Sequence, residues 1–291
     1  MIFKMPVFCK DHIKLIRPYQ WIKNFLVFAP LFFSGNLISS RVWQAGAGFI
    51  IFCMISALGY ILNDWTDRKK DMLHPRKKYR PLCTGSVSGK SALLLSWILI
   101  LACLTIIAGS KLPLRFMTYA GLYIILTMSY SLYFKSIVLL EVFIVAMGFV
   151  IRVLAGGAAC GVTISSWLFL TVFFIAMMIS IAKRLTELKT LGKAAAIKHR
   201  QSQAGYSADF LNSLLWSCSS IALVVYSLYA LEHGKLVIFS VIPAAYGIFR
   251  FIYLTDNGKG SDPIKALFSD RQLLLTTLIF LLFLTIVIYH P

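Results

Sequence analysis

Long apolar stretches alternate with short polar segments along almost the whole chain. Most stretches are about 18–22 residues long, enough for an α-helix to cross a hydrocarbon core about 30 Å thick. The first stretch is the weakest, because Pro30, Gly35 and Asn36 interrupt it. The pattern predicts an all-α polytopic membrane protein with about nine transmembrane helices, at residues 21–39, 44–62, 91–109, 114–133, 136–157, 165–182, 212–231, 235–254 and 272–290.

The composition argues against a water-soluble protein and against a nucleic-acid-binding one. Hydrophobic residues make up 59% of the chain and charged residues only 14%, too few to cover it in water. The net charge of +18 comes from basic clusters separated by apolar runs, without a nucleic-acid-binding motif. Anionic lipid headgroups or a polyanionic substrate explain this charge better. The six cysteines are scattered and predict neither a disulfide framework nor a zinc site.

Basic residues are distributed unevenly between the two ends of the predicted helices. With the N-terminus in the cytoplasm, 24 of the 29 Lys and Arg residues fall on the inner side and four on the outer side. This bias predicts an integral inner (plasma) membrane protein whose C-terminus lies on the opposite side. Two long inner loops, 63–90 and 183–211, are expected to carry function. We expect one membrane-embedded domain, 1–291, in which residues 1–20 form an interfacial segment.

Three of the few acidic residues lie in one short window at the inner end of the second apolar stretch. The run is Asn63-Asp64-Trp65-Thr66-Asp67-Arg68-Lys69-Lys70-Asp71. On a helix turning about 100° per residue, Asp64, Asp67 and Asp71 fall within about 60° of one another. Three carboxylates on one stripe repel each other unless a cation lies between them. Such hard oxygen ligands, with Asn63 beside them, suit Mg²⁺, which usually bridges carboxylates to substrate phosphates.

A strongly basic segment follows this acidic stripe. Its cations are Arg76, Lys77, Lys78 and Arg80, in a stretch that two prolines and a glycine fold into a loop. Carboxylates followed by cations are the combination that a Mg²⁺-bound pyrophosphate requires. The alternative is an ordinary solvated membrane end, which leaves the clustering of the acids unexplained.

Two ionisable residues belong to the fifth apolar stretch. Arg152 lies inside it, in Gly148-Phe149-Val150-Ile151-Arg152, and ionisable residues within a membrane are functional candidates by default. Glu141 precedes Arg152 by about three helical turns, which predicts that both share a face. For Arg152 the alternative is a structural arginine bonded to helix-end carbonyls. Lys135, between the fourth and fifth stretches, suits either phosphate binding or interface snorkelling.

The second long loop is basic and has no second carboxylate stripe. It opens with Lys183-Arg184-Leu185-Thr186-Glu187 and continues to Arg200 and Tyr206, and its two acids, Glu187 and Asp209, are isolated. Cations without clustered acids predict a phosphate-binding surface rather than a second metal site. A solvated amphipathic helix is the alternative.

These residues resemble a known group. Asn63-Asp64-x-x-Asp67-x-x-x-Asp71 at the end of the second stretch is similar to the signature of the UbiA-type intramembrane prenyltransferase superfamily. Four further runs resemble one of its subgroups, the decaprenyl-phosphate phosphoribosyltransferases: Arg17-Pro18-Tyr19-Gln20-Trp21-Ile22-Lys23-Asn24, His74-Pro75 to Arg80-Pro81, Gly148 to Arg152, and Lys183-Arg184-x-x-Glu187.

The resemblance implies a UbiA-like helical bundle with a cytoplasmic-side active site and an activity. A Mg²⁺-dependent enzyme would move 5-phosphoribose from phosphoribosyl pyrophosphate to a polyprenyl-phosphate lipid, releasing pyrophosphate, for cell-envelope (cell-wall) precursor synthesis. Homo-oligomer formation stays open. Asp64, Asp67 and Asp71 would be catalytic, with Mg²⁺ on Asn63, Asp67 and Asp71. The implied substrate-binding residues are Lys23, Asn24, Lys78, Arg80, Lys135, Glu141, Arg152, Lys183, Arg184, Glu187, Arg200 and Tyr206.

Two alternatives remain at this point. A UbiA-type aromatic prenyltransferase would use an isoprenyl diphosphate donor, but such enzymes carry a second aspartate motif after the sixth span. A membrane transporter would be expected to show ionisable residues across its spans, and here they are nearly absent. Relatives often have an aspartate where this chain has Glu141, whose reach is longer.

Overall fold

The computed structural model describes residues 7–37, 39–72, 77–234 and 236–289, without the side chains of residues 7–9, 70, 198 and 199. Throughout these ranges the regular secondary structure is helical, which confirms the predicted fold class. The first part of the predicted interfacial segment, residues 1–6, lies outside the described residues. The same holds for His74, Pro75 and Arg76 of the predicted basic segment.

Fourteen α-helices follow one another along the described residues. They are α1 Val7–Ile16, α2 Ala29–Phe33, α3 Val42–Thr66, α4 Arg68–Asp71, α5 Pro81–Thr84, α6 Gly89–Ser110, α7 Leu114–Leu132, α8 Leu140–Cys160, α9 Ser166–Leu191, α10 Lys193–His199, α11 Ala208–Glu232, α12 Val241–Asp256, α13 Pro263–Ser269 and α14 Arg271–Tyr289. Turns of 3₁₀ helix lie between them, at Pro18–Phe28, Lys77–Tyr79, Phe134–Ser136, Gln201–Gly205 and Val237–Ser240.

Seven helices within the described residues are long and apolar enough to cross a membrane. They are α3, α6, α8, α9, α11, the segment Val237–Asp256 that contains α12, and α14. Helix α7 matches the predicted stretch 114–133 in position, but Arg115 and several tyrosine and hydroxyl side chains make it less apolar. The number of about nine transmembrane helices therefore stays a prediction.

The first predicted span, 21–39, does not form one α-helix. The 3₁₀ helix Pro18–Phe28 leads into α2, which ends at Phe33. Pro30 lies in the first turn of α2, where its missing N–H is not needed, and Gly35 follows with a φ of 71° that ends the helical geometry. The residues that weaken the apolar stretch in the sequence are thus those that divide it in the structure.

The second predicted loop begins as helix. Helix α9 continues beyond the predicted end at residue 182 as far as Leu191, because Leu185 and Leu188 extend its buried face. Serine side chains define where α6, α9 and α11 begin: Ser88, Ser165 and Ser207 each accept a hydrogen bond from the backbone N–H three residues further on.

The chain packs into two compact units, each with its own apolar core. In the first unit, Phe52 of α3 packs against Phe116 and Tyr123 of α7. In the second unit, α9, α11 and α12 bury a larger core that includes Ile181 and Leu215. The first unit comprises Met1–Ser131 and Ile151–Thr163, and the second comprises Leu132–Val150 and Ile164–Pro291.

Two helices bury few of their apolar side chains within the described part of the chain. These are α6 in the first unit and α14 in the second, where leucine and isoleucine side chains alternate with few polar groups. Such surfaces are unfavourable in water, whereas lipid chains solvate them.

Within the first unit, the backbones of α8 and of the 3₁₀ helix Pro18–Phe28 approach each other closely at Gly156. A Cβ atom at Gly156 would overlap the carbonyl oxygen and carbon of Val27. Rotation of a side chain cannot relieve this overlap because the neighbouring atoms belong to the backbone. Only glycine therefore permits this packing distance.

We expect Gly156→Ala to destabilise the first unit by roughly 3 kcal/mol, at the upper end of what overpacking costs. Gly121→Ala is the matched control, since Gly121 lies in α7 with open space around the position of a Cβ atom. That substitution should be neutral or slightly stabilising, as alanine favours helix. Thermal unfolding in detergent checks the difference, and equal melting temperatures of the two variants would contradict the close approach.

Candidate active site

The predicted acidic stripe, Asp64, Asp67 and Asp71, lies on one nearly continuous helical face in the first unit. Although α3 ends at Thr66, the N–H of Asp67 donates to the Asn63 carbonyl at 2.9 Å, and the N–H of Asp71 donates to the Asp67 carbonyl at 2.8 Å. Asp64 and Asp71 are 1% and 3% exposed, and Asn63 and Asp67 are half-buried. The helical backbone therefore continues through the stripe as far as Asp71. The role of the three carboxylates as one site stays a prediction.

Arginine side chains hold the buried carboxylates of this stripe. The Arg80 Nη1 donates to Asp64 Oδ1 at 2.9 Å and also to Asp71 Oδ2. Lys77 adds a cation 3.6 Å from Asp71 Oδ1. The cation that must lie between the carboxylates is therefore a guanidinium of the same chain, and Arg80 serves here as their counter-ion.

Arg17 is a second counter-ion, which sequence analysis did not select as a site residue. Its Nη2 donates to Asp64 Oδ1 at 2.5 Å, and its guanidinium lies over the Tyr60 ring, 4.9 Å from the centroid. The backbone of Arg17 is left-handed, with φ 52°, immediately before Pro18. This conformation costs a non-glycine residue about 1–2 kcal/mol and is typical of functional sites. The only signal in the sequence was the family-like run that starts at Arg17.

A second polar group of the first unit surrounds Arg152, and we call it the Arg152 pocket: Arg152, Asn24, Tyr123 and Ser56. Arg152 Nε donates to Asn24 Oδ1 and Nη2 donates to the Tyr123 hydroxyl, both at 2.7 Å. The guanidinium also lies over the Tyr123 ring, 4.5 Å from its centroid. Ser56 Oγ is 3.5 Å from both Asn24 Oδ1 and Tyr123 Oη.

Asn24 and Tyr123 are uncharged and fix the orientation of the Arg152 guanidinium. All four residues are buried. An ionisable side chain buried in a membrane helix is a candidate for binding a substrate. Sequence analysis selected Asn24 and Arg152 and missed Tyr123 and Ser56, which are ordinary residues of apolar helices when read singly.

The polar group of the second unit is built around Glu141, which is fully buried. Its Oε1 accepts a hydrogen bond from Ser202 Oγ at 2.9 Å and forms an ion pair with Arg184 Nε at 3.0 Å. Its Oε2 accepts a hydrogen bond from Arg200 Nη1. Three of the predicted site residues, Glu141, Arg184 and Arg200, thus meet at one carboxylate.

The predicted basic surface of the second unit is partly neutralised from within. Arg184 Nη1 donates to Glu187 Oε2 at 2.6 Å, so Arg184 contacts two acids. The buried Gln203 bonds to the same Glu187 oxygen at 3.2 Å and to the Arg184 carbonyl at 3.3 Å. Sequence analysis missed Gln203 and Ser202 because neither carries charge or belongs to a motif.

Tyr206 joins this second polar group through its hydroxyl. The phenol oxygen accepts a hydrogen bond from the Leu139 N–H at 2.8 Å. Burial raises the pKa of the Tyr206 phenol above its ordinary value, which keeps the hydroxyl neutral. Four lysines were predicted as substrate-binding residues. Lys78 and Lys183 are exposed, and Lys23 and Lys135 are half-buried.

Among the described residues, no group of three or more His, Cys, Asp or Glu side chains is arranged to hold a metal ion. The guanidinium of Arg80 lies where two of the carboxylates of the acidic stripe converge. The assignment of metal ligands to Asn63, Asp67 and Asp71 therefore stays a prediction.

We expect Arg80→Ala to lower stability in metal-free detergent by roughly 3 kcal/mol, because it leaves two buried carboxylates without their shared cation. Lys189→Ala is the matched control: it breaks an ion pair of 3.0 Å between Lys189 and Asp256 whose members are both exposed, worth less than about 1 kcal/mol. Thermal unfolding in the presence of EDTA makes the comparison. Similar melting temperatures for the two variants would show that Arg80 is not the counter-ion.

The sequence has clear relatives. It matches the model of the UbiA prenyltransferase family over residues 25–276. It is 31% identical over 280 residues to the decaprenyl-phosphate phosphoribosyltransferase of Mycolicibacterium smegmatis, covering 90% of this chain and 87% of that one. The decaprenyl-phosphate phosphoribosyltransferase of Corynebacterium glutamicum is 28% identical over 290 residues, covering 95% of this chain and 86% of that one.

The fold is similar to that of a solved protein. A UbiA homologue from Archaeoglobus fulgidus, bound to GPP and Mg²⁺, superimposes with a TM-score of 0.73 at 18% identity, covering 96% of this chain and 99% of that one. The seven apolar helices among the described residues, together with the match to the UbiA prenyltransferase family, make this an integral membrane protein. With a family model matched from residue 25 to residue 276 and a corresponding fold, the chain belongs to the UbiA prenyltransferase family.

Proposed function

We propose that this chain is a membrane transferase that moves 5-phosphoribose from phosphoribosyl pyrophosphate to a polyprenyl phosphate and releases pyrophosphate. The observation that carries the proposal is the asymmetry of the two units. The first unit has a stripe of three aspartates, two of which share Arg80, whereas in the second unit two arginines share the single carboxylate of Glu141. Two relatives that the chain matches over most of their length carry the name of this activity.

The oxygen donors of the acidic stripe are chemically suited to a divalent cation. The carboxylates of the stripe already bind cationic groups, Arg17 and Arg80, so the site favours positive charge. Hard oxygen ligands of this kind suit Mg²⁺, and the solved UbiA homologue from Archaeoglobus fulgidus contains that ion. In our proposal Asn63, Asp67 and Asp71 hold Mg²⁺ and Asp64 supports them. When bound, the ion would neutralise the charge of the departing pyrophosphate.

The reaction exchanges one bond at the anomeric carbon of ribose. The bond from this carbon to the pyrophosphate oxygen breaks, and pyrophosphate leaves with the electron pair. A bond to an oxygen of the lipid phosphate forms in its place. That phosphate is already ionised at neutral pH, so no general base is needed. The carboxylates of the acidic stripe would stabilise the positive charge that develops on ribose.

Arginine side chains are suited to hold the phosphate groups, because their planar fork matches phosphate oxygens. Arg80 and Arg17 already lie at the acidic stripe and would contact the pyrophosphate of the donor. Lys23 and Lys78 would add to this binding. Arg152, Lys135 and the cations at 183–206 are the candidates for the lipid phosphate.

The proposal includes the predicted topology. Residues 1–291 would form one catalytic domain, because the family match over residues 25–276 runs through both units. The apolar stretches of the sequence predict about nine transmembrane helices in it. The positive-inside bias favours a cytoplasmic N-terminus and a cytoplasmic active site in the inner membrane. The product, a pentose linked to a polyprenyl phosphate, would be used in the synthesis of cell-envelope precursors.

Two other functions are weaker. An aromatic prenyltransferase of the same family would have to bind its isoprenyl diphosphate without a second aspartate stripe, since Glu187 is committed to Arg184 and Gln203. A transporter would need ionisable groups along a path through the membrane. In the described residues Arg152 is held by Asn24 and Tyr123 within the first unit.

The transfer can be tested with purified protein in nanodiscs, Mg²⁺, labelled phosphoribosyl pyrophosphate and a polyprenyl phosphate. We expect label to enter the lipid phase and EDTA to abolish this. Asp67→Ala should lower the rate of transfer by roughly two orders of magnitude or more. This exceeds the roughly 10–100-fold loss that follows when a residue hydrogen-bonded to a metal ligand is removed. Asp209→Ala is the control, because Asp209 is an exposed acid in the first turn of α11.

Other outcomes of this experiment would assign a different function. No transfer with several lipid lengths, from protein that unfolds cooperatively, would overturn the phosphoribosyl proposal. Product from an isoprenyl diphosphate and an aromatic acid would identify an aromatic prenyltransferase. Substrate flux into proteoliposomes without a covalent product would identify a transporter.

The stereochemistry of the product tests the single displacement. Attack by the lipid phosphate on the face opposite the departing pyrophosphate predicts inversion at the anomeric carbon. Nuclear magnetic resonance of the 5-phosphoribosyl lipid product reports the configuration at its anomeric carbon. Retention would exclude a single-step attack from the face opposite the departing pyrophosphate.

A further inference from the structure

Two segments of the second unit contact each other along their length, and we call these contacts the Glu141 clasp. Residues 138–141 lead into α8, and residues 200–206 lie between α10 and α11. At Gly205 a Cβ atom would lie 2.6 Å from Cγ2 of Val138, so a larger residue would push the segments apart. The Tyr206 hydroxyl accepts a hydrogen bond from the Leu139 N–H at 2.8 Å. Leu139 directly precedes α8 and has a left-handed backbone, with φ 63°.

The Glu141 carboxylate forms the polar end of the clasp. Both of its oxygens are used, by Ser202 and Arg184 on one and by Arg200 on the other. Because Glu141 is fully buried, its charge must be balanced within the unit, and the two arginines do this. A carboxylate that is fully bonded and inaccessible cannot stabilise charge on a substrate directly.

The two arginines that bind Glu141 differ in exposure. The side chain of Arg184 is 4% exposed, whereas that of Arg200 is 23% exposed. Arg200 bonds to Glu141 through Nη1, and the planar guanidinium turns as a rigid group, so this bond fixes its orientation. Arg200 is thus the member of the clasp whose charge reaches the surface in an orientation fixed by a buried partner.

We propose that Glu141 is a positioning residue that fixes residues 200–206 and presents Arg200 to a phosphate group of a substrate. The identity of that phosphate rests on the proposed function, since both the pyrophosphate donor and the lipid acceptor carry one. The ordering of residues 200–206 does not rest on the proposed function. The longer reach of glutamate serves this role, because the carboxylate contacts three side chains from α9 and from the 200–206 segment.

Variants that remove one hydrogen bond each test the ordering. Ser202→Ala removes the hydroxyl that donates to Glu141, and Tyr206→Phe removes the acceptor of the Leu139 N–H. We expect each to speed backbone hydrogen exchange in residues 200–206 about tenfold, as one lost bond implies. Ser219→Ala is the matched control: Ser219 is equally buried, but its hydroxyl donates to Leu215 of its own helix.

Glu141→Gln keeps the shape of the side chain and removes its charge, which tests the presentation of Arg200. We expect faster exchange in residues 200–206 and a KM for one substrate raised about tenfold, with kcat within about twofold of the wild type. Measuring KM for phosphoribosyl pyrophosphate and for polyprenyl phosphate identifies which phosphate Arg200 meets. Arg200→Ala should raise the same KM, and the double variant should raise it no further.

The outcomes separate this inference from the proposed function. Wild-type exchange rates in Ser202→Ala, Tyr206→Phe and Glu141→Gln would overturn the positioning role, and so would a fall in kcat with unchanged exchange. If Glu141→Gln does not fold, the two single-bond variants still give the exchange result. Hydrogen exchange needs no substrate, so absence of phosphoribosyl transfer in the wild type would contradict the proposed function alone.

Discussion

Asp64 and Asp71 lie almost fully buried on one helical face, and the first unit can hold both only because Arg80 lies between them. Two negative charges without water around them would raise the energy of the folded chain by several kcal/mol. Arg17 and Lys77 complete the compensation. The polar end of α3 is therefore a charge-balanced assembly, in which arginines from before and after the helix fix the position of the carboxylates.

The second unit also balances buried charge, but with the roles of acid and base exchanged. Here one buried carboxylate, Glu141, is shared by two arginines, and Glu187 balances the remainder of the charge. In the first unit one arginine, Arg80, is thus shared by two carboxylates, whereas in the second unit one carboxylate is shared by two arginines.

Sequence patterns predicted the helical fold, the position of most long helices and the acidic stripe, because these depend on local periodicity. The stripe needed only the turn angle of a helix and the scarcity of acids elsewhere. Arg17 could not be found in this way, since its contact with Asp64 joins residues 47 apart in sequence. Its role depends on the left-handed backbone before Pro18, which no apolar pattern records.

Other parts of the site escaped prediction for related reasons. The sequence suggested that Arg80 would bind substrate, but not that it would first bind its own aspartates. Ser202 and Gln203 carry no charge, and their importance follows from burial beside Glu141 and Glu187. The extent of α9 was underestimated because charged residues at 183–187 look like a loop, although Leu185 and Leu188 keep one face of the helix apolar.

The close approach at Gly156 has a consequence for the Arg152 pocket. Asn24 and Val27 are three residues apart on a 3₁₀ helix, and Arg152 and Gly156 are four apart on α8, so each pair lies on one face. The steric contact between Val27 and Gly156 therefore sets the spacing at which Asn24 meets Arg152 one turn away. The absence of a side chain at Gly156 thus determines the geometry of the hydrogen bond between Arg152 and Asn24. The polar chemistry of the pocket depends on an apolar position that no substrate needs to contact.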